Sequence, residues 1–181
     1  MDDPGTAPST TGSLMSRTLT AVLFAIYGAL LIGLVLTKFP FRYDLSPAEP
    51  ELNLVPFTGL FSNYGAFHLS EVIQNIAIFI PFGIYVSMLA RDWSFGKRLL
   101  PIIATTVGFE VVQFISRTGR ADITDVVDNV LGGVIGLVSY AVASRVWGTK
   151  AHRALNVGGI LCTVAALAMV AIVLANTLRG R

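Results

Sequence analysis

The sequence predicts an all-α, polytopic membrane helix bundle of about five transmembrane helices behind a disordered N-terminal tail. Three observations predict it. Hydrophobic residues make up 54% of the chain and charged residues 13%, against about 25% charged in soluble domains. Mean hydropathy is +0.69. The charges are bunched into gaps between apolar runs of about 20 residues, the length that crosses a hydrocarbon core of about 30 Å. The net charge of +2 is too small and too dispersed for a nucleic-acid partner. The single cysteine, Cys162, lies inside an apolar run and offers neither a disulfide framework nor a metal cluster.

Residues 1–16 are small and polar, with Pro4, Gly5 and Pro8, and bury too little apolar surface to fold. The first span follows at 18–37. It is long for a signal-peptide core, and Lys38, Phe39, Pro40 and Phe41 form no small-residue cleavage site, so the helix is retained. The connection over 38–70 carries Pro40, Pro47, Pro50 and Pro56. Within it, Phe57, Leu60, Phe61, Tyr64 and Phe67 fall near helical spacing, which fits either an interfacial amphipathic element or a packed extramembrane loop. The second span covers 71–90, with Ser70 as its N-cap and Pro81 at its middle, where proline removes a backbone hydrogen bond and kinks a helix. A basic turn (Arg91, Lys97, Arg98) leads to the third span at 99–116, and the fourth covers 126–144. A membrane domain over 17–147 is thereby complete. Residues 148–181 add a second basic turn and a fifth span at 155–178. Short connections make spans two, three and four antiparallel neighbours.

With five spans, the N-terminus and both basic turns share one membrane face. That face carries seven cations, Arg17, Arg91, Lys97, Arg98, Arg145, Lys150 and Arg153, against six on the other. The seven are concentrated in short turns, and Trp93 and Trp147 flank them. This places the N-terminus in the cytoplasm.

Antiparallel packing gathers the polar residues at the opposite face. Asn75 opens span two there. Glu110, Gln113 and Arg117 close span three, and Asp122, Asp125, Asp128 and Asn129 open span four, with Arg120 in the intervening loop and Asn53 in the loop before span two. Glu110 lies well inside a span, about 9 Å from the helix end at 1.5 Å per residue. An isolated carboxylate at that depth faces the bundle interior and is paired or protonated. It reads either as a buried acid or cation ligand, or as half of an interhelical pair with Arg117 or Arg120. The first-turn acids suit the helix dipole, and Asp122 or Thr124 caps the helix. Asp128 and Asn129 lie further in, and capping does not explain them. Asp122, Asp125 and Asp128 are the candidate ligands for a divalent cation such as Mg²⁺ or Ca²⁺, although no cofactor is required by the pattern. The two arginines suit a phosphate or carboxylate. Gly83, Gly132 and Gly136 permit close helix packing. His68 and His152 lack partners at zinc spacing, and no recognised catalytic motif is present, so whether the protein is an enzyme stays open.

Several separated motifs carry a family resemblance. They are Asn53, Leu54, Val55, Pro56 and Phe57; then Asn75, Phe79, Pro81, Phe82 and Gly83; then Glu110 and Gln113; then Arg120, Asp122, Asp125, Asp128, Asn129, Gly132 and Gly136. In order, spacing and type this set resembles the VanZ-like family over about residues 20–147. The resemblance implies a small bacterial integral membrane protein, multi-pass in the cell membrane, whose family namesake is linked to low-level teicoplanin resistance without substitution of the peptidoglycan precursor. It implies the lipid bilayer as partner, with a glycopeptide or lipid-linked wall component as the expected ligand. It supplies no reaction and no catalytic residue. A membrane enzyme or a carrier acting on a lipid headgroup is the alternative.

Overall fold

The structure, a computed structural model, describes residues 10–37, 52–57, 65–116 and 121–179. Five long helices carry the fold: α1 (Thr10–Thr37), α2 (Gly65–Leu89), α3 (Phe95–Ser116), α4 (Ile123–Trp147) and α5 (Lys150–Arg179). All five are long and apolar enough to cross a membrane. Two short strands accompany them, β1 (Leu52–Asn53) and β2 (Ala121–Asp122).

The helices overrun the spans read from hydropathy. α1 begins at Thr10, inside the stretch assigned to the tail, and residues 1–9 lie outside the described ones. α2 begins at Gly65, which puts Ser70 within the helix and not at its N-cap. Hydropathy marks the part of a helix that lipid covers, while backbone hydrogen bonding continues beyond it. In the connection before α2, residues 52–57 form β1 and a turn, so an amphipathic helix does not start at Asn53. Residues 58–64 lie outside the described residues.

α2 and α4 form the closest pair in the bundle. Apolar side chains gain little by leaving lipid for protein, so helix association rests on close packing. Glycine supplies it here. A Cβ on Gly132 would stand 2.2 Å from the Ile76 carbonyl oxygen, one on Gly136 2.1 Å from that of Ile80, and one on Gly83 2.0 Å from that of Gly133. The two backbones touch where any other residue would hold them apart. α3 closes on the same seam, its buried Ile102 lying against Gly133.

Aromatic rings lock α1 to α2. Phe24 meets Phe82 edge-on at 5.1 Å between centroids and Tyr85 at 5.6 Å. α2 runs as a helix through Pro81. Proline there denies the Ala77 carbonyl its usual donor, and the adjacent Ile78 carbonyl accepts the Tyr27 hydroxyl from α1. Phe79, Phe82, Val86, Ile102, Leu137 and Leu31 form the main buried cluster. At the far end, Arg98 donates to the carbonyls of Ala90 and Arg91 at 3.0 and 2.7 Å, which closes the turn between α2 and α3.

Candidate functional site

The polar site is built at the end where α3 finishes and α4 starts. Its base is a two-strand clasp that hydropathy gave no reason to expect. β1 pairs parallel with β2, Leu52 opposite Ala121 and Asn53 opposite Asp122. Asp122 is the joint. Its Oδ1 accepts the Thr124 N–H at 2.8 Å and caps α4; its Oδ2 accepts from Asn53 Nδ2 at 2.8 Å; its own N–H donates to Glu110 Oε2 at 2.9 Å. One residue thus ties the loop before α2, the end of α3 and the start of α4. The turn after β1 is fixed as well. Asn53 Oδ1 accepts the Val55 N–H at 3.2 Å, and Phe57, held at a φ of 61°, donates its N–H to Thr124 Oγ1 at 3.0 Å. A left-handed backbone costs a non-glycine residue about 1–2 kcal/mol, and here the Thr124 contact holds it in place.

Deeper in, α2 meets α4 through Asn75, which is buried and donates to Asp125 Oδ1 at 2.7 Å. α3 meets α4 through Asn129, whose Nδ2 donates to Thr106 Oγ1 at 2.9 Å. Both amide groups spend a donor on the framework. Among the described residues the Asn129 side-chain oxygen and Asp128 Oδ2 are buried with no hydrogen-bond partner, their residues being only 6% and 1% exposed. Buried acceptors left this way are costly. Asn129 also lines a narrow cleft of about 10 Å³ with Asn75, Ile78, Phe109, Glu110, Gln113 and Asp125.

The residues marked in the sequence therefore separate by task. Asn53, Asp122 and the Glu110 carboxylate build the clasp. Asn75, Glu110, Gln113, Asp125 and Asn129 line the cleft. Asp128 lies buried on the α4 face beside them. Arg117 and Arg120 lie outside the described residues. Asp122 uses both carboxylate oxygens within the clasp, and among the described residues no group of three or more His, Cys, Asp or Glu side chains is arranged to hold a metal ion. Sequence reading missed Thr106. Thr106 carried a signal, since Thr106, Glu110 and Gln113 recur at i, i+4 and i+7 on one face of α3. Thr124 was noted only as a possible cap, and its hydroxyl instead secures Phe57.

The fold and the site together define a multi-pass α-helical membrane protein with a hydrogen-bonded polar cluster at one end of its bundle. Comparison with known proteins gives the family. Residues 24–144 match the VanZ/LLP1 family. The chain is also 35% identical over 135 residues to Protein VanZ of Enterococcus faecium, covering 72% of this chain and 79% of that protein. The chain belongs to the VanZ/LLP1 family. No solved structure matches it. The match ends before α5, so the clasp and the cleft lie wholly inside the family region.

Proposed function

We propose that the protein works in the bacterial cell envelope, where an outward-facing polar site lowers susceptibility to the glycopeptide teicoplanin by engaging a lipid-linked wall component. One observation carries this reading: α2, α3 and α4 converge beside the β-clasp on a cleft lined by Glu110, Asp125 and Asn129, whose buried side-chain oxygen has no partner among the described residues. An orphaned acceptor beside carboxylates calls for a ligand that donates hydrogen bonds. Size narrows the choice. At about 10 Å³ the cleft has room for about one water-sized group, far below the roughly 300–1,000 Å³ of drug-sized sites. It admits a single hydrogen-bonding group of a lipid-linked molecule presented at its mouth, and not the antibiotic. The outward orientation is supported by the cations of the opposite end, where Arg17, Arg91, Lys97, Arg98, Arg145, Lys150 and Arg153 gather with Trp93 and Trp147.

A second reading is favoured by one feature. Glu110 is a half-buried acid that lines the cleft, the position of a general acid or base in an enzyme acting on a lipid headgroup. The same cleft would serve a carrier that moves such a headgroup.

The test is glycopeptide tolerance in a susceptible host that expresses the wild type, Glu110→Gln or Asp125→Asn, with membrane abundance measured by blotting. Both variants keep an oxygen acceptor for the Asp122 N–H and for Asn75, so the bundle still assembles. The proposal expects raised teicoplanin tolerance with the wild type and loss of it in the variants at equal abundance. A wild type without effect ends the resistance reading and leaves the headgroup enzyme or carrier in its place.

A further inference from the structure

A second polar node lies at the other end of the bundle, away from the clasp and the cleft. It joins α1, α5 and the turn between α2 and α3. Thr20 is fully buried, and its Oγ1 lies 3.1 Å from His152 Nε2, 3.0 Å from Asn156 Oδ1 and 2.9 Å from the Ser16 carbonyl. Asn156 Nδ2 donates to that same carbonyl at 3.3 Å. Arg91 NH2 contacts His152 Nδ1.

The chemistry of these groups fixes the protonation of the histidine. A guanidinium nitrogen only donates, so His152 Nδ1 accepts from Arg91. Nδ1 then carries no proton, and the imidazole is neutral with its hydrogen on Nε2. That hydrogen goes to Thr20 Oγ1, and the Thr20 hydroxyl passes its own on to Asn156 Oδ1 or the Ser16 carbonyl. Every donor in the relay meets an acceptor in this one state. A proton added at Nδ1 would set N–H against N–H and place a second cation beside Arg91. The other charged groups of this end are Arg17 on α1, Asp92, Lys97 and Arg98 in or after the α2–α3 turn, Arg145 near the end of α4, and Lys150 and Arg153 on α5. Asp92 is the one acid among the described residues there, so little offsets the added charge.

The node matters because it supplies the polar hold on α5, beside apolar contacts at Ala151 and Leu155 in the same turns. The apolar stretch of α5 is exposed along its length. Its seat is confined to its first turns: buried Ala151, Leu155 packed on Leu23, Tyr85 and Met88, and the stripe His152, Asn156 and Gly159 at i, i+4 and i+7. A Cβ on Gly159 would stand 2.5 Å from the Tyr85 hydroxyl oxygen, so that position only steers the helix close. We propose that His152 is a protonation-controlled latch: neutral, it fastens α5 to α1 and to the α2–α3 turn; protonated, it releases the first turns of α5. In the orientation proposed above, this end senses cytoplasmic acidification. The device is independent of what the cleft binds.

The experiment uses the full chain purified in detergent, with thermal unfolding and amide hydrogen exchange measured at pH 8 and pH 5.5, exchange being corrected for its intrinsic pH dependence. His152→Gln keeps a donor at the Nε2 position and has no proton to gain; His152→Arg is charged throughout. For the wild type, Tm falls by about 4–8 °C on acidification, the size expected for two lost inter-element hydrogen bonds in a chain of this length, and exchange rises over residues 150–156. His152→Gln shows neither change, and His152→Arg shows the opened pattern at both pH values. The latch is overturned if His152→Gln retains the wild-type pH dependence, or if His152→Arg protects residues 150–156 as the wild type does at pH 8.

Discussion

Gly132→Ala tests whether the α2–α4 seam sets the geometry of the cleft. The added Cβ would lie 2.2 Å from the Ile76 carbonyl oxygen, where ordinary contact begins at 3.4 Å. The obstacle is backbone within a helix, so no rotamer change relieves it, and the helices must separate by about 1 Å. Asn75 and Asp125 bridge the same two helices two turns away at 2.7 Å. A separation of that size carries the pair past the 2.7–3.2 Å range of an N–H···O bond. Overpacking costs about 1–3 kcal/mol, and losing a hydrogen bond to a charged group adds about 1.5–3 kcal/mol. The expected loss is therefore about 2.5–6 kcal/mol, read as unfolding of the purified protein in a graded SDS–detergent series. Gly108→Ala is the control, since a Cβ there meets nothing within 4 Å, and it should leave stability unchanged or raise it slightly. If Gly132→Ala is as stable as Gly108→Ala, the seam is not held by backbone contact and the argument from it to the cleft fails.

Other expectations follow from single bonds. Asn75→Ala and Asp125→Ala, combined in a double-mutant cycle, should show a coupling of about 1.5–3 kcal/mol in the same unfolding assay; independent effects would mean that the 2.7 Å contact contributes nothing. Glu110→Gln should fold nearly as the wild type, because an amide oxygen still accepts the Asp122 N–H, whereas Glu110→Leu should lower stability by about 1–3 kcal/mol by stranding that donor. Equal stability of the two would remove Glu110 from the clasp. Asn129→Leu discards a buried side-chain oxygen that has no partner among the described residues and also breaks the bond to Thr106 Oγ1, so stability should fall by about 1–3 kcal/mol while glycopeptide tolerance at equal membrane abundance is lost; tolerance retained at equal abundance would give Asn129 a structural role only.

Much of this protein was legible in one dimension. A hydrocarbon slab imposes a length and a polarity on whatever crosses it, so five apolar runs and the gaps between them gave five helices and their antiparallel order. That order alone brought Asn75, Glu110, Gln113, Asp125 and Asn129 to one end of the bundle. The cost of a charge in lipid makes Glu110 conspicuous in the sequence alone. Helix ends were less legible, as Thr10 and Gly65 show, because lipid sets hydropathy while hydrogen bonding sets the helix.

Only the tertiary structure decided how the polar residues divide their work. The parallel pairing of residues 52–53 with 121–122 joins segments 69 positions apart in the chain, and no local periodicity encodes it. Three aspartates spaced alike are unlike in use: Asp122 fills its hydrogen bonds in a clasp, Asp125 anchors an asparagine from another helix, and Asp128 keeps a buried oxygen without a partner among the described residues. The node around His152 was invisible for the same reason, since Thr20, Arg91 and Asn156 come from three elements. Sequence fixes which chemistry a membrane helix carries and at what depth. Which donor meets which acceptor depends on the rotation and approach of neighbouring helices, and contacts at glycines such as Gly132 and Gly136 decide that only when the bundle closes.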